Sequence, residues 1–233
     1  MKSHFFVFSM VLCLFTCESK IKPSNIQVVS AMKHVMWKGE LQGKISLDTI
    51  KNKTGLYGLG PAEYLRGELL IIDGKTYLSQ VLSDSSMLVK KNDQAKAPFF
   101  VYGRVNHWTT EPLSKSIKTI SDLEHFLDEK AKSLSQPFIF KLKGTVDKAT
   151  IHIQNLPKGS KVSSPKEAHA GQTNYELTQE HVEIIGFYST KHQGVFTHHD
   201  THLHTHLITT DQSKMGHLDT VSFGDDMVLF LPK

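Results

Sequence analysis

The chain has 233 residues, of which 39% are hydrophobic and 21% are charged, and its formal net charge is +4. This composition is that of an ordinary globular protein, long enough for one large domain or two small ones. The basic residues are scattered, and no basic run alternates with aromatic side chains, so the sequence gives nucleic-acid binding little support.

The first twenty residues, "MKSHFFVFSMVLCLFTCESK", have the pattern of an export signal. One early lysine precedes an apolar run that is too short for a transmembrane helix, which is typical of a secretory signal peptide. A small residue followed by Cys17 ends this run and resembles a bacterial lipobox. We therefore predict a signal peptide over residues 1–17 with a lipidated Cys17. A plain cleaved signal is the alternative.

The rest of the chain reads as a short tether and one domain. Residues 18–27 suit a tether, and residues 28–233 contain no linker, repeat or low-complexity block. The protein is thus expected to be exported, as a cell-envelope lipoprotein or as a periplasmic or secreted protein, and to contact a membrane only through the lipid. Because both cysteines, Cys13 and Cys17, lie in the signal, any metal must be held by histidine, aspartate or glutamate.

Most segments of the domain read as β-strands. The stretch "GELLIIDGKTYLSQV" places the turn residues Asp73 and Gly74 between two apolar runs, which is a strong hairpin signal. Other short runs are rich in β-branched and aromatic residues, as strands are. These runs are "PFFVYGRV", "PFIFKLKGTV", "ATIHIQN", "VEIIGFYST" and "DMVLFLP".

Two segments read as helices. Residues 121–124, Ser-Asp-Leu-Glu, match a capping box, and the apolar residues that follow share one helical face. A shorter helix is predicted after Ser46, in "LDTIKN", and residues 157–178 read as a long polar loop. Many strands with two short helices indicate an α+β class with a β-dominated core of mixed and antiparallel sheets.

A histidine-rich stretch near the end of the chain, "THLHTHLITTDQSKMGHLDT", has the pattern of a metal-binding hairpin. Alternate side chains of a strand share a face, so His202, His204 and His206 are expected on one side. If the turn closes about residues 211–212, His206 and His217 fall opposite each other, with Cβ atoms roughly 5 Å apart. Three imidazoles on neighbouring strands suit Zn²⁺ or another borderline divalent ion.

Two other interpretations of these histidines are open at this point. The strand could be a surface stripe, or a low-complexity tract that binds metal adventitiously. His198 and His199, just upstream, are interpreted as loop residues or as partners that orient the ligands. The pairing of histidines across the hairpin favours a true metal site over these alternatives.

The segment "HTHLITTDQSKMGH" resembles the metal-binding segment of bacterial alpha-acetolactate decarboxylases, where a His-x-His strand is followed eleven residues later by Gly-His. His204, His206 and His217 match those ligands in spacing, whereas counting from His202 makes the interval too long. The resemblance covers about residues 30–233, through collinear segments such as "KGELQGKISLDTIKNKTGLYGLG" and "GLGPAEYLRGELLIIDGKTY". It implies a fold of two joined β-rich parts, with a zinc site near a closed or barrel-like sheet.

The resemblance also indicates site residues and departures from the family. Glu68 stands in the position of the family's active-site glutamate, and His152 stands where the family has an arginine. Pro61 replaces a threonine of a glycine turn, and a tail with a further glutamate is missing after Lys233. Imidazole cannot grip a carboxylate bidentately as a guanidinium does. His152 would therefore donate one hydrogen bond when protonated, or would orient a ligand.

The function that the resemblance implies is zinc-dependent decarboxylation of 2-acetolactate, or of a related 2-hydroxy-3-keto acid, to acetoin and CO₂. The metal would act as a Lewis acid, and Glu68 would protonate the carbon that CO₂ leaves. The alternative is a non-catalytic, envelope-anchored protein that binds a metal or a small acid on the same fold. The retained Glu68 and histidines favour the enzyme, whereas the missing arginine and tail and the export favour the binding protein. A homodimer is compatible with both.

Overall fold

The computed structural model describes residues 25–233, so the predicted signal peptide (1–17) and most of the predicted tether (18–27) lie outside the described residues. This part of the chain forms three α-helices, α1 (Met32–Lys38), α2 (Ile120–Lys130) and α3 (Pro165–Ala168). It also forms fourteen strands: β1 (Gln27–Val29), β2 (Ile45–Ser46), β3 (Leu56–Pro61), β4 (Glu68–Ile72), β5 (Lys75–Ser83), β6 (Ser86–Lys91), β7 (Lys96–Ala97), β8 (Phe100–Arg104), β9 (Trp108–Pro112), β10 (Phe138–Ile153), β11 (Thr173–Tyr188), β12 (Leu203–Thr209), β13 (Met215–Phe223) and β14 (Val228–Pro232).

Six strands form the first sheet, in the order β1-β8-β3-β4-β5-β6. The predicted hairpin is confirmed as β4 and β5. Asp73 and Gly74 between them have positive φ angles of 45° and 79°, as a two-residue type I′ turn requires. At the other end of this hairpin Glu68 begins β4 and pairs with Pro61 of β3. The hairpin thus places the acidic side chain at an end of the first sheet.

The second sheet has the order β11-β12-β13-β10-β14-β9, and a further pairing of β10 with β11 closes the four strands β10 to β13 into a ring. β10 spans 16 residues, so the runs "PFIFKLKGTV" and "ATIHIQN", predicted as separate strands, are one strand. Gly186 permits the close pairing with β10, because a Cβ there would lie 2.1 Å from the Phe140 ring. The α+β class with a partly closed, β-dominated core is confirmed, although every pairing between the named strands is antiparallel rather than mixed.

Two apolar clusters explain how the first sheet and the ring are held together. The larger cluster contains side chains of β10 to β14 and is covered by Leu123 and Leu127 of α2. The second cluster crosses between the sheets and includes Leu59 and Leu70 from the first and Ile208 from the second. Burial of this apolar surface favours the docked arrangement, which brings β4 beside β13 and brings Glu68, at the start of β4, close to His206 of β12.

The helices differ in detail from the sequence-based expectation. The capping box of α2 is formed by Thr119 and Asp122, so the predicted box at residues 121–124 was placed two residues too late. The predicted short helix after Ser46 is one 3₁₀ turn, Leu47–Thr49. α1 was not predicted, and no side chain caps its N-terminus. α3 and the start of β11 occupy part of the predicted loop at 157–178. Within the described residues no helix combines the length and hydropathy needed to span a membrane.

Candidate metal centre

The hairpin of β12 and β13 has the predicted register. His206 pairs with His217, Leu207 with Gly216, and Ile208 with Met215. The turn between the strands is stabilised by the Asp211 carboxylate, which accepts hydrogen bonds from the Thr209 hydroxyl at 2.6 Å and the Ser213 N–H at 3.0 Å. These local contacts fix the turn length, and the turn length places the two histidines opposite each other.

His204, His206 and His217 form one cluster. The ring centroids of His204 and His206 lie 5.2 Å apart, those of His204 and His217 also 5.2 Å, and those of His206 and His217 5.6 Å. His204 and His206 are two residues apart on β12 and therefore share a face. The three predicted ligands are thus brought together by one hairpin.

His202 does not lie with them, so its predicted place on the same face is wrong. β12 begins only at Leu203, and the His202 Nδ1 lies 2.8 Å from an oxygen of Asp128 on α2. The same Asp128 oxygen accepts a 2.6 Å hydrogen bond from the Tyr188 hydroxyl, while Glu124 accepts the His202 backbone N–H at 2.7 Å. His202 therefore links the start of β12 to α2 through hydrogen bonds and takes no part in the cluster.

Several ring nitrogens of the cluster are buried and have no hydrogen-bond partner among residues 25–233. They are Nδ1 of His204, both ring nitrogens of His206 and Nε2 of His217. Burial, reinforced by the neighbouring imidazoles, lowers the pKa of His204 and His206 well below the usual value, although the backbone of Leu69 lies near enough to the His206 ring to oppose this. Neutral imidazoles with unpaired buried nitrogens are suited to ligate a metal. The cluster therefore fits a borderline divalent cation.

Asp219 forms hydrogen bonds with both His217 and His152, an interaction that the sequence did not predict. The His152 Nδ1 lies 2.7 Å from Oδ1 of Asp219, and the His217 Nδ1 lies 3.1 Å from the same oxygen. Burial opposes ionisation of Asp219, but the two histidine hydrogen bonds outweigh it and hold the pKa of this carboxyl well below its usual range. The spacing His217-x-Asp219 on one strand face was the only sequence signal for this contact.

His152, His217 and Asp219 also form an alternative ligand group, since one donor atom from each lies within 4.8 Å of the others. In this group the donor atoms already form hydrogen bonds with one another, whereas the nitrogens of the histidine cluster are unpaired. His217 belongs to both groups, with its Nδ1 held by Asp219 and its Nε2 unpaired. A carboxylate that fixes one nitrogen of a metal-bound histidine is a common arrangement behind the ligands of metal sites.

Replacing Asp219 by asparagine distinguishes these two arrangements. If Asp219 only orients His217, we expect full metal stoichiometry and an affinity roughly 10- to 100-fold lower, because the amide keeps one acceptor but loses the charge. Competition with a chromophoric chelator measures this. Asp225→Asn, at an exposed aspartate paired with Lys115 and Lys118 elsewhere on the surface, is the matched control. Loss of metal in Asp219→Asn but not in His204→Ala would assign the metal to the alternative group.

His152 lies beside the cluster at the end of β10. It pairs with His217 of β13 and stacks on it, with ring centroids 4.6 Å apart. Gly216 allows this approach, because a Cβ there would lie 2.5 Å from the His152 carbonyl oxygen. The position at which the resemblance expects an arginine therefore carries a buried imidazole bound to Asp219.

Glu68 reaches the cluster from the first sheet. Its side chain is 2% exposed, its Oε1 accepts the Gln154 backbone N–H at 3.2 Å, and its Oε2 lies 3.7 Å from the His206 Nε2. Burial, opposed by the Gln154 hydrogen bond and aided by the charge of Asp219, raises the pKa of Glu68 to about 8. The carboxyl is therefore protonated at neutral pH until a nearby cation lowers the pKa again.

A cavity of about 30 Å³ lies between Glu68 and the histidines. That volume is roughly the share of one water molecule in the liquid. His198 lines it, whereas the His199 side chain is 90% exposed, so these neighbours differ in role. The lining residues are Met32, Met36, Pro61, Leu65, Glu68, Phe99, His152, Gln154, His169, His198, His204 and His217.

Comparisons with known proteins point to one family. Residues 27–230 match the sequence model of the family described as alpha-acetolactate decarboxylase. An alpha-acetolactate decarboxylase of Lactococcus lactis subsp. cremoris is 28% identical over 171 residues, which cover 71% of this chain and 67% of that protein. The same values hold for the alpha-acetolactate decarboxylase of Lactococcus lactis subsp. lactis.

Solved structures share the fold. The crystal structure of alpha-acetolactate decarboxylase from Bacillus subtilis superposes with a TM-score of 0.71 and 21% identity, covering 89% of this chain and 85% of that one. A Staphylococcus aureus protein of unknown function, described as similar to alpha-acetolactate decarboxylase, gives a TM-score of 0.70 and 17% identity, with 88% and 84% covered. At these identities the structures establish the common fold.

Proposed function

The chain belongs to the alpha-acetolactate decarboxylase family, and from that premise we propose that it decarboxylates 2-acetolactate, or a related 2-hydroxy-3-keto acid, to acetoin and CO₂ with the help of a divalent metal. His204, His206 and His217 would hold the metal, and Asp219 would orient His217. Zn²⁺ suits three imidazoles with positions left open for substrate, and other borderline divalent ions suit them as well. When bound, such a cation supplies Lewis-acid stabilisation of negative charge on substrate oxygens.

Glu68 is the proposed proton donor. Loss of CO₂ breaks a carbon–carbon bond and leaves its electron pair on the carbon that carried the carboxylate. The protonated Glu68 carboxyl delivers a proton to that carbon, and a proton from solvent restores the acid. The Gln154 backbone N–H holds one oxygen of Glu68, which leaves Oε2 on the side of His206.

The observation that carries this proposal is the juxtaposition of Glu68 with the unpaired His206 nitrogen. A carboxyl with its pKa raised to about 8 lies 3.7 Å from a buried nitrogen that has no hydrogen bond within the described residues. Burial favours the neutral acid that general-acid catalysis needs, whereas a bound cation would favour the carboxylate, so the proposal rests on the position of Glu68. Its position beside a proposed ligand supports a role for that acid at the substrate.

The direct test is to purify the full chain, load it with Zn²⁺, measure the bound metal and follow acetoin formation from racemic acetolactate. One metal per chain with acetoin production supports the proposal. Metal binding without release of CO₂ from acetolactate or any other 2-hydroxy-3-keto acid tested would reject the enzymatic function and retain the metal site. Failure to bind metal would reject both.

The second candidate is a non-catalytic protein that binds a metal or a small acid. It is favoured by one observation: no lysine or arginine of the described chain lines the cavity beside the histidines. A decarboxylase must hold a carboxylate, and a guanidinium or ammonium is the usual partner. This candidate predicts tight metal binding and no turnover in the experiment above.

We further propose, from the sequence alone, that the protein is exported and anchored by a lipid on Cys17. Cys17→Ser should then move the protein from the membrane fraction to the soluble fraction, because the acceptor of the lipid is lost. Cys13→Ser, four residues earlier in the same leader, should leave the membrane fraction unchanged. Immunoblots of fractionated cells measure both, and equal fractionation of Cys17→Ser and the unaltered protein would reject the anchor.

A further inference from the structure

The cavity beside the histidine cluster offers mainly imidazoles for binding an acid. Its polar side chains in residues 25–233 are Glu68, Gln154 and five histidines. A buried carboxylate is unfavourable unless N–H groups donate hydrogen bonds to it. Apart from the Glu68 carboxyl, which the proposed function assigns to proton transfer, side-chain donors to a bound carboxylate must therefore come from a histidine or from Gln154.

Most of these groups are already engaged. His204 and His217 belong to the proposed ligand set, and His152 is bound to Asp219 through its Nδ1. The Gln154 amide donates to Gln172 at 3.3 Å and lies 3.4 Å from the His152 Nε2. Outside the proposed ligands, His169 and His198 are the lining histidines of the described chain for whose side chains the structure shows no hydrogen bond or ion pair.

His198 is the better placed of the two. Its ring centroid lies 5.3 Å from that of His217 and 6.4 Å from that of His204, so it faces the proposed ligands directly. It follows the buried Thr197 in a connecting segment, residues 189–202, in which the His192 carbonyl accepts three successive N–H groups. This compact turn holds the His198 ring towards the cavity, although His198 belongs to no strand.

The His198 ring can supply the donor that a bound carboxylate needs. An imidazole keeps at least one N–H whether it is neutral or protonated. Because the ring lines the cavity, it can donate this N–H to a carboxylate bound there.

We infer that His198 donates a hydrogen bond to the carboxylate of the bound acid, where no cationic side chain is present to do so. It is thus a substrate-positioning residue, which holds the carboxylate towards the segment 189–202. The inference rests on the proposed function only in taking a small hydroxy acid as the ligand, and it does not require turnover.

The test measures binding to the full, Zn²⁺-loaded chain by calorimetry. The probes are 2-hydroxyisobutyrate, which carries a hydroxyl and a carboxylate, and its uncharged amide. His198→Ala should weaken binding of the acid about 10- to 100-fold, the value of one hydrogen bond to a charged group, with little effect on the amide. His198→Gln, which keeps an N–H donor, should recover part of this loss. His199→Ala, at the exposed neighbour, should bind both probes as the unaltered protein does.

Each other outcome overturns the inference. If His198→Ala binds the acid within twofold of the unaltered affinity, His198 is not the donor. If the unaltered protein binds the acid and the amide equally, no such donor to the carboxylate exists. Loss of bound Zn²⁺ in His198→Ala would make His198 a ligand instead. An unaltered protein that makes no acetoin but shows the expected binding differences would contradict the proposed enzyme and leave the role of His198 standing.

Discussion

Replacing His206 by alanine should abolish stoichiometric metal binding under conditions in which the unaltered chain retains one ion. His206 is fully buried, and both of its ring nitrogens lack a hydrogen-bond partner among the described residues. Zinc bound by protein ligands contributes about 10–16 kcal/mol in small structural sites. One ligand among three or four therefore accounts for roughly 3–5 kcal/mol, or an affinity about 100- to several-thousand-fold lower. Metal analysis after dialysis, with chelator competition, measures this.

The fold must be shown to survive this substitution. His202→Ala is the matched control, because His202 lies just before the same strand and contacts Asp128 instead of the cluster. It should retain one metal per chain while losing some stability. The unaltered protein should gain thermal stability on adding Zn²⁺, because a ligand that binds only the folded state stabilises it, and His206→Ala should gain little. Retention of metal by His206→Ala at the unaltered affinity would refute the three-histidine site.

Glu68→Gln should lower acetoin formation about 100- to 10,000-fold, the usual contribution of a general acid, with metal content unchanged. The amide has nearly the same shape as the protonated carboxyl but cannot give up a proton to the substrate carbon. Rates from the Zn²⁺-loaded variant measure the effect. Glu63→Gln, five residues earlier and outside the lining of the cavity, is the control. If Glu68→Gln keeps the turnover of the unaltered protein, Glu68 is not the proton donor.

The thermal stability of Glu68→Gln distinguishes a loss of catalysis from a loss of folding. Below pH 4.5 Glu68 is protonated in both the folded and the unfolded chain. As the pH rises from 4.5 to about 8, the unfolded chain loses this proton first, so the free energy of unfolding falls. In metal-free protein at pH 7, Glu68→Gln should therefore unfold at an equal or higher temperature than the unaltered chain. A less stable variant would indicate that the charged carboxylate is needed for folding.

The parts of the site that the sequence predicted are local. The pairing of His206 with His217 depends on a short turn, and alternation along a strand needs only neighbouring residues. The hairpin around Asp73 was predictable for the same reason, because two adjacent residues, Asp73 and Gly74, adopt the positive φ angles that its turn requires. The predicted boundary of α2 was wrong because residues 119–122 and 121–124 both match a capping box, and only tertiary structure selects between them.

The parts that the sequence did not predict depend on contacts between distant segments. The contact of His152 with Asp219 requires the register between β10 and β13, which no local pattern specifies. The approach of His198 follows from the path of a connecting segment. The resemblance placed Glu68 at the site, but its pKa follows from docking of the first sheet onto the ring. α1 is short and lacks an N-cap side chain, so its sequence carried little helical signal.

The tight turn between β12 and β13 has an evolutionary consequence. A single residue inserted between Thr209 and Lys214 would slip the register by one and rotate His217 to the opposite face of its strand. Loops elsewhere on a protein commonly accept such insertions at little cost. This turn is short and surface-exposed, yet its length is constrained because it sets which face of the strand carries His217. Natural variants of the chain are therefore expected to keep the number of residues in this turn wherever both histidines stay on one face of the hairpin.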